Sequence, residues 1–248
     1  MHGKSFYRWG MDTTEIKQRL KKAKHIVVVT GAGVSAESGI PTFRGPEGLW
    51  KHYRAEELAT PQAFEKNPEL VWEWYCWRRG IISKAKPNPG HIAIAELEKR
   101  YDDFLLITQN VDGLHRASGS HKLVEIHGCI WQTRCVKCNA IEQDNELDYR
   151  NIGPCIRCGG RKRPNVVWFG EPIPPMSLNS AFSAAESCDL MIVAGTSGIV
   201  QPVASLPFMA KKAGAYIIEI NVDTTPISAV ADIFLKGKSG EVLPGLID

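Results

Sequence analysis

Short apolar runs recur along this chain, with stretches of helical period between them. The clearest runs, His25–Thr30, Asp103–Thr108, Asp189–Ala194 and Ala215–Asn221, are bounded by polar or turn residues and read as buried strands. Weaker strand patterns cover Lys122–Ile126, Asn165–Phe169 and Asp232–Leu235. Apolar spacing of three and four predicts helices over Asp12–Ala23, Pro89–Lys99, Leu178–Ser187 and Pro202–Lys212, the last ended by Gly214. Strands alternating with helices predict an α/β chain whose sheet is mostly parallel and covered on both faces.

Two stretches break the alternation. Residues 44–87 hold no strand pattern, but Asn67-Pro68-Glu69 supplies an N-cap, a first-turn proline and an early acid, opening a helix that Gly80 should close. Residues 129–163 are polar, turn-rich and rich in cysteine. Both read as insertions that build a smaller lobe, leaving 11–43, 88–128 and 164–248 for the sheet domain. Met1–Gly10 reads as a loose extension.

Composition narrows the picture only a little. A chain of 248 residues holds one sizeable α/β domain with insertions. The net charge of +3 comes from scattered Lys and Arg and gives no argument for a specific nucleic-acid partner. No apolar stretch approaches the ~18 residues of a membrane span, and Met1–Lys22 lacks the pattern of a secretory signal. Seven cysteines, four of them in paired spacing, suit metal in a reducing compartment, so a cytoplasmic location is expected.

The first strand runs into Gly31-Ala32-Gly33 and Ala36, a Gly-x-Gly-x-x-Ala turn opening a short helix. Such turns bring backbone N–H groups and a helix N-terminus to a pyrophosphate, so a Rossmann-like dinucleotide site is predicted. The departure from a dehydrogenase is Gly39-Ile40-Pro41, which stops the helix after about two turns. No acidic residue closes a second strand about 20 positions on, either.

Cys135-x-x-Cys138 and Cys155-x-x-Cys158 are separated by 16 residues, within the zinc-ribbon range. Four cysteines close a tetrahedral site and leave no open position, so one structural zinc ion is predicted. The ribbon could instead bind nucleic acid through Lys137, Arg157, Arg161, Lys162 and Arg163, although no aromatics interleave with those charges.

Thr108-Gln109-Asn110-Val-Asp112-Gly-Leu-His115 follows a strand, where α/β sheets place ligand contacts. Its amides and carboxylate suit ribose hydroxyls and a carboxamide; loop polarity and helix capping by Asp112 remain the plainer alternative. His127 ends a weak strand at the join between lobes and is a candidate base. His91 and His115 lie inside helical patterns as packing or surface residues. Gly195-Thr196-Ser197 and Asn221 end later strands and would line the phosphates and a ribose.

Together these pieces resemble the sirtuins, NAD-dependent protein-lysine deacylases. The matching blocks are GAGVSAESGIPTFRG at 31–45, TQNVDGLH at 108–115, His127-Gly128, the two Cys pairs, NVVWFGE at 165–171, GTS at 195–197, VQPVASLP at 200–207 and Asn221. They stand in family order, with Ser118 where the family more often has Ala, and the family's last helix usually runs on past the point where this chain ends.

The resemblance implies the fold: a Rossmann-like parallel sheet with helices on both faces, plus a smaller lobe made of a zinc-ribbon module (129–163) and a helical insertion (44–87). It implies NAD contacts from Gly31, Ala32, Gly33, Glu37, Ile40, Thr42, Phe43, Arg44, Trp50, Gln109, Asn110, Asp112, Gly195, Thr196, Ser197, Asn221, Val222, Asp223 and Ser239. His127 would be the general base, with Asn110 beside it as the other catalytic residue. Val166, Val167, Trp168, Phe169, Gly170 and Glu171, with Gly198 and Val200, would hold a substrate peptide as added strand. Nicotinamide, O-acyl-ADP-ribose and free lysine would be the products. The implied partners are acylated lysine peptides or proteins, and a monomer is favoured.

Tyr75 and Arg78 stand three apart on the predicted helix from Pro68 and share a face. A phenol beside a guanidinium makes a carboxylate receptor, and Tyr-x-x-Arg resembles the sirtuin branch that removes succinyl, malonyl and glutaryl groups. The plainer alternative is a core Tyr beside a surface Arg near a helix C-terminus. Other classes that share parts of this sequence are a dehydrogenase, a mono-ADP-ribosyltransferase and a nucleic-acid-binding zinc ribbon.

Overall fold

The computed structural model describes residues 5–8, 13–42 and 54–247. The strands are β1 (Ser5–Arg8), β2 (His25–Thr30), β3 (Asp103–Thr108), β4 (Leu123–Glu125), β5 (Gly128–Cys135), β6 (Ile141–Gln143), β7 (Lys162–Val166), β8 (Leu190–Ala194), β9 (Tyr216–Asn221) and β10 (Ile233–Lys236). The helices are α1 (Thr14–Lys22), α2 (Ala32–Ala36), α3 (Ala55–Leu58), α4 (Pro61–Lys66), α5 (Pro68–Ile82), α6 (Pro89–Arg100), α7 (Leu114–Ala117), α8 (Pro175–Ser187), α9 (Leu206–Ala213) and α10 (Ser239–Ile247).

Seven strands form one parallel sheet in the order β1-β10-β9-β8-β2-β3-β4, and β6-β5-β7 form a small antiparallel sheet. The alternation within β2 shows why the large sheet is covered on both faces. Ile26 and Val28 pack under α1, α6 and α10, whereas Val27 and Val29 pack under α8 and α9. Each such side chain contributes roughly 1.5–3 kcal/mol by leaving water. A third apolar cluster sits under α4 and α5 and receives Ile130, Val166 and Trp168 from the small-sheet segment. Strand order reverses between β2 and β8, so their C-terminal ends diverge into a crevice. Thr30, Thr108 and Ala194 end the three central strands at that crevice.

Four details differ from the sequence-based expectation. Ser5–Arg8 is an edge strand paired with β10 rather than part of a loose extension. Gly80 does not end α5, which continues to Ile82; a mid-helix glycine costs only about 1 kcal/mol, and Ile82 is buried. The strand expected at Asn165–Phe169 lies upstream as β7, and beyond it Phe169-Gly170 forms a turn. The helix expected to span about two turns, α2, has five residues. The predicted caps do form: Leu70 N donates to Asn67 Oδ1 at 3.1 Å at the start of α5. No described helix is long and apolar enough to cross a membrane.

Candidate active site

The crevice at the ends of β2, β3, β8 and β9 collects most of the polar residues singled out in the sequence. At Gly33, an added Cβ would lie 2.8 Å from Gly195 Cα, so the β2–α2 turn and the β8 loop must meet backbone to backbone. Gly33 N donates to Gly195 O at 2.8 Å and Gly31 N to Ala194 O at 3.1 Å. These two glycines are thus engaged in holding the loops together. The N-terminus of α2 has no side-chain cap, which leaves its remaining donors for an anion. That fits a pyrophosphate there.

Around this turn the polar groups are tied to one another. Gln109 Nε2 donates to Thr196 Oγ1 at 3.0 Å, and Asn221 Nδ2 donates to Thr196 O at 2.7 Å. Asn221 Oδ1 accepts from Val222 N, so one hydrogen and one lone pair of its amide remain for a ribose. Glu37 accepts from Gly240 N at 2.7 Å and caps α10 beside buried Ser239. Ile40 is buried, while Val222 and Asp223 are exposed on the loop after β9. Phe43, Arg44 and Trp50 lie outside the described residues.

Asp112 and Asn110 are buried at the centre. Asp112 Oδ2 accepts from Ser35 Oγ at 2.8 Å, and Oδ1 accepts from Leu114 N at 2.9 Å. Burial raises its carboxyl above the ordinary range, opposed by those two bonds and by Arg78. Asn110 Nδ2 donates to Gly31 O and to Ser35 Oγ, so its carbonyl oxygen is the free end. His91 Nδ1 accepts from Asn88 N, which makes Nε2 the protonated nitrogen facing Ser35 Oγ at 3.3 Å. Ser35 thus receives protons from His91 and Asn110 and passes its own to Asp112. Sequence reading missed Ser35 and His91 as parts of the site, because nothing local marks contacts made across 56 to 77 positions.

His127 Nδ1 faces Gln109 O at 3.2 Å. A carbonyl only accepts, so Nδ1 carries the hydrogen and Nε2 is the basic nitrogen. Burial pulls its pKa below the usual value, partly offset by that hydrogen bond. Beside it, Val167 N donates to His127 O at 2.9 Å, Trp168 N to Glu171 Oε2 at 2.9 Å and Phe169 N to Ala59 O at 2.9 Å. Two carbonyls of the segment are engaged as well, Val166 O by Arg163 NH2 at 2.7 Å and Trp168 O by Glu171 N at 3.0 Å.

The family model described as Sir2 matches residues 31–202, about two thirds of the chain. The chain belongs to the Sir2 family. An NAD-dependent protein deacylase 2 of Pyrobaculum aerophilum is 52% identical over 231 residues, 92% of each chain. A Sir2 homologue solved in complex with NAD superposes with a TM-score of 0.90 at 48% identity, covering 99% of this chain and 95% of that one. A Sir2 protein solved with a deacetylated p53 peptide and 3′-O-acetyl ADP ribose superposes at 0.86 with 31% identity, over 96% and 100% of the two chains.

In this Sir2 protein, the four cysteines come together as one cluster. Their Sγ atoms lie within 4.8 Å of one another, with Cys135–Cys158 at 3.5 Å and Cys138–Cys155 at 3.7 Å. A tetrahedron with metal–sulfur bonds of ~2.3 Å has edges of about 3.8 Å, so the cluster already has the dimensions of a zinc site. Gly160 fits against it where a Cβ would fall 2.9 Å from Cys135 Sγ. Each knuckle ends in a left-handed residue, Asn139 or Gly159, whose N–H donates to the carbonyl of its first cysteine. The residues fit a structural zinc ion.

Tyr75 and Arg78 share a buried face of α5, at 1% and 6% exposure, so the surface-Arg alternative does not hold. The Arg78 guanidinium carbon lies 4.9 Å from the Trp74 ring centre and 5.8 Å from that of Tyr75. Arg79, which sequence reading passed over, ties α5 to the zinc lobe: Nε donates to Ile130 O, and NH1 to Asp144 Oδ1 and Glu146 O.

His91 and His115 are fully buried with ring centres 4.7 Å apart, so neither is a surface residue; besides packing, His91 faces Ser35 and His115 Nε2 lies 3.0 Å from Thr30 Oγ1. Burial pushes His91 down to about 4 and His115 down to about 3, the latter helped by His91. An unfolded chain binds protons at both imidazoles near pH 6.5, while the folded chain does not until about pH 4. Their contribution to stability is therefore complete above pH 6.5 and falls as pH drops towards 4. Asp112 and Glu219, raised by burial, work in the opposite direction. An NMR titration should find two imidazoles still neutral at about pH 5.5. Two ordinary midpoints near 6.5 would mean that the pair is not buried as described.

Proposed function

We propose that this site removes acyl groups from protein lysines with NAD as co-substrate, and that it prefers acidic acyl groups such as succinyl and malonyl over acetyl. The chain is an NAD-dependent protein-lysine deacylase, with nicotinamide, O-acyl-ADP-ribose and free lysine as products. NAD, when bound, supplies the labile nicotinamide–ribose bond and the ADP-ribose that carries the acyl group away.

The protein's own groups divide the remaining work. The α2 turn and the Gly195–Ser197 loop hold the pyrophosphate, and Gln109, Asn110 and Asp112 face the nicotinamide ribose. Ser35, His91 and Leu114 N fix Asp112 in one orientation. His127 Nε2 accepts a proton from a ribose hydroxyl, and Gln109 O keeps its ring in the tautomer that can do so. Val166–Glu171, Gly198 and Val200 hold the peptide by main-chain pairing. The protein is expected to act as a monomer in the cytoplasm, on acylated lysine peptides or proteins.

The observation that carries the acyl preference is the Tyr75–Arg78 pair, buried together on one helix face, where a phenol and a guanidinium form a charge-assisted donor set that suits a carboxylate. Such a bond contributes roughly 1.5–3 kcal/mol, about ten- to a hundred-fold in discrimination. Mass-spectrometric turnover of one lysine peptide carrying succinyl or acetyl, with and without NAD, tests the reading. We expect a higher kcat/KM for succinyl, and Arg78→Met should reduce desuccinylation by about ten- to a hundred-fold more than deacetylation. Equal losses would remove Arg78 from acyl recognition. Transfer of ADP-ribose to protein without acyl loss would favour a mono-ADP-ribosyltransferase instead.

A further inference from the structure

The Tyr75 hydroxyl is held by a group outside the Tyr-x-x-Arg pair. Trp168 Nε1 donates to Tyr75 Oη at 2.9 Å in a buried contact between α5 and the segment after β7. An indole N–H only donates, whereas a phenol has one hydrogen and two lone pairs. Trp168 therefore occupies acceptor capacity and leaves the hydroxyl hydrogen over. Among the described residues that hydrogen has no acceptor. Burial raises the Tyr75 pKa, so the phenol keeps its proton.

Trp168 is itself fixed by its surroundings. The Arg163 guanidinium lies 3.3 Å from its ring centre, and the Phe64 ring packs at 5.4 Å. Arg163 NH2 donates to Val166 O at 2.7 Å and to Glu171 Oε2 at 2.9 Å, while NH1 pairs with Glu171 Oε1. Glu171 Oε2 also accepts from Trp168 N at 2.9 Å. An indole locked in this way has one direction in which to point its N–H.

We propose that Trp168 is a specificity-determining positioning residue, whose indole N–H orients the Tyr75 hydroxyl so that its hydrogen points to the far end of an acidic acyl chain. The proposal rests on the acidic-acyl reading of Tyr75 and Arg78. An acetyl group has no carboxylate to accept that hydrogen, so orientation of the phenol matters to acidic chains alone.

The test is kcat/KM on succinyl- and acetyl-lysine versions of one peptide for the wild type, W168F, Y75F, R78M and W168F/Y75F. Phe keeps a ring under Arg163 and deletes the N–H. The succinyl-to-acetyl ratio should fall about three- to ten-fold in W168F, and W168F should change it no further in the Y75F background. Replacing Trp168 with β-(3-benzothienyl)alanine, which keeps the bicycle and removes only the donor, should give the same drop should W168F fold poorly. A proportional loss on both substrates would overturn the proposal and leave Trp168 a backbone role. So would the same drop with Tyr75 already replaced. A ratio unmoved by Y75F and R78M would instead sink the acidic-acyl reading itself.

Discussion

Stripping the metal, or replacing Cys135 with Ser, is expected to abolish turnover and to melt the smaller lobe. The four cysteines hold together the ends of β5 and β7 and the two knuckles, where the small sheet has few apolar residues of its own. Zinc in such sites contributes apparent binding energies of ~10–16 kcal/mol, comparable with the ~5–15 kcal/mol stability of a whole domain. The loss would reach the active site through named contacts. Ile130 N donates to Val111 O, and Trp131 Nε1 to Asp112 O at 2.8 Å, so β5 supports the backbone around Asp112. Ile130 O and Asp144 hold Arg79 and, through it, the α5 face that carries Tyr75 and Arg78. Breaking the buried Arg79–Asp144 pair alone costs about 3–5 kcal/mol. Activity should return with zinc, and also with cadmium, which suits a thiolate site and takes no part in the chemistry. Full activity in metal-free protein would show that the lobe holds its shape by packing alone. A cadmium-loaded protein that folds but fails to turn over would contradict a purely structural role.

What the sequence revealed, and what it hid, follows from how far each feature depends on distant partners. The strands β2, β3, β8 and β9 were legible because a strand buried on both faces is mostly apolar; the one buried charge inside them, Glu219 in β9, is held by the hydroxyls of Thr225 and Ser228. Ser5–Arg8 gives no such signal, since four residues at a sheet edge are held by backbone pairing with β10. In β5, Gln132, Thr133 and Arg134 interrupt the apolar pattern, and Thr133 is nonetheless buried. The run Val166–Phe169 drew the predicted strand downstream, whereas β7 starts at Lys162. The charge in β7 is tolerated because Arg163 pairs with Glu171 and stacks on Trp168. α10 was hidden by its own composition: Gly240, Pro244 and Gly245 are poor helix formers, and packing of Val242, Leu243 and Leu246 overrides them.

The candidate site shows the same division. Its chemical groups were legible because Gly, Asn, Asp, His and paired Cys announce turns, polar contacts and metal by type and spacing. The groups that orient them were not. Ser35, His91, Arg79 and Trp131 act through hydrogen bonds that span between 19 and 77 positions. Trp168 was singled out as part of the peptide-holding segment, but not its indole contact with Tyr75 across 93 positions. No local pattern selects such pairs.

Replacing His127 with Ala should lower turnover by about 10²–10⁴-fold while leaving the zinc content and the fold intact. The side chain is half-buried, and its one hydrogen bond goes to a backbone carbonyl, so its removal breaks no ion pair and no core packing. The expected pH behaviour separates a base from a spacer. Burial lowers the His127 pKa below 6.5, so the neutral imidazole with a free Nε2 is fully present at neutral pH. For the wild type, kcat/KM should therefore be flat around pH 7–8 and fall only on the acid side, below about 6.5, as that nitrogen is protonated. Residual activity in H127A should lack this acid limb. His127→Tyr should be equally inactive, because a phenol at neutral pH holds its proton and cannot take another from a ribose hydroxyl. Turnover retained by either variant, or an acid limb unchanged in H127A, would place the base elsewhere, and Asp112, buried at the centre of the crevice, would then be the group to test.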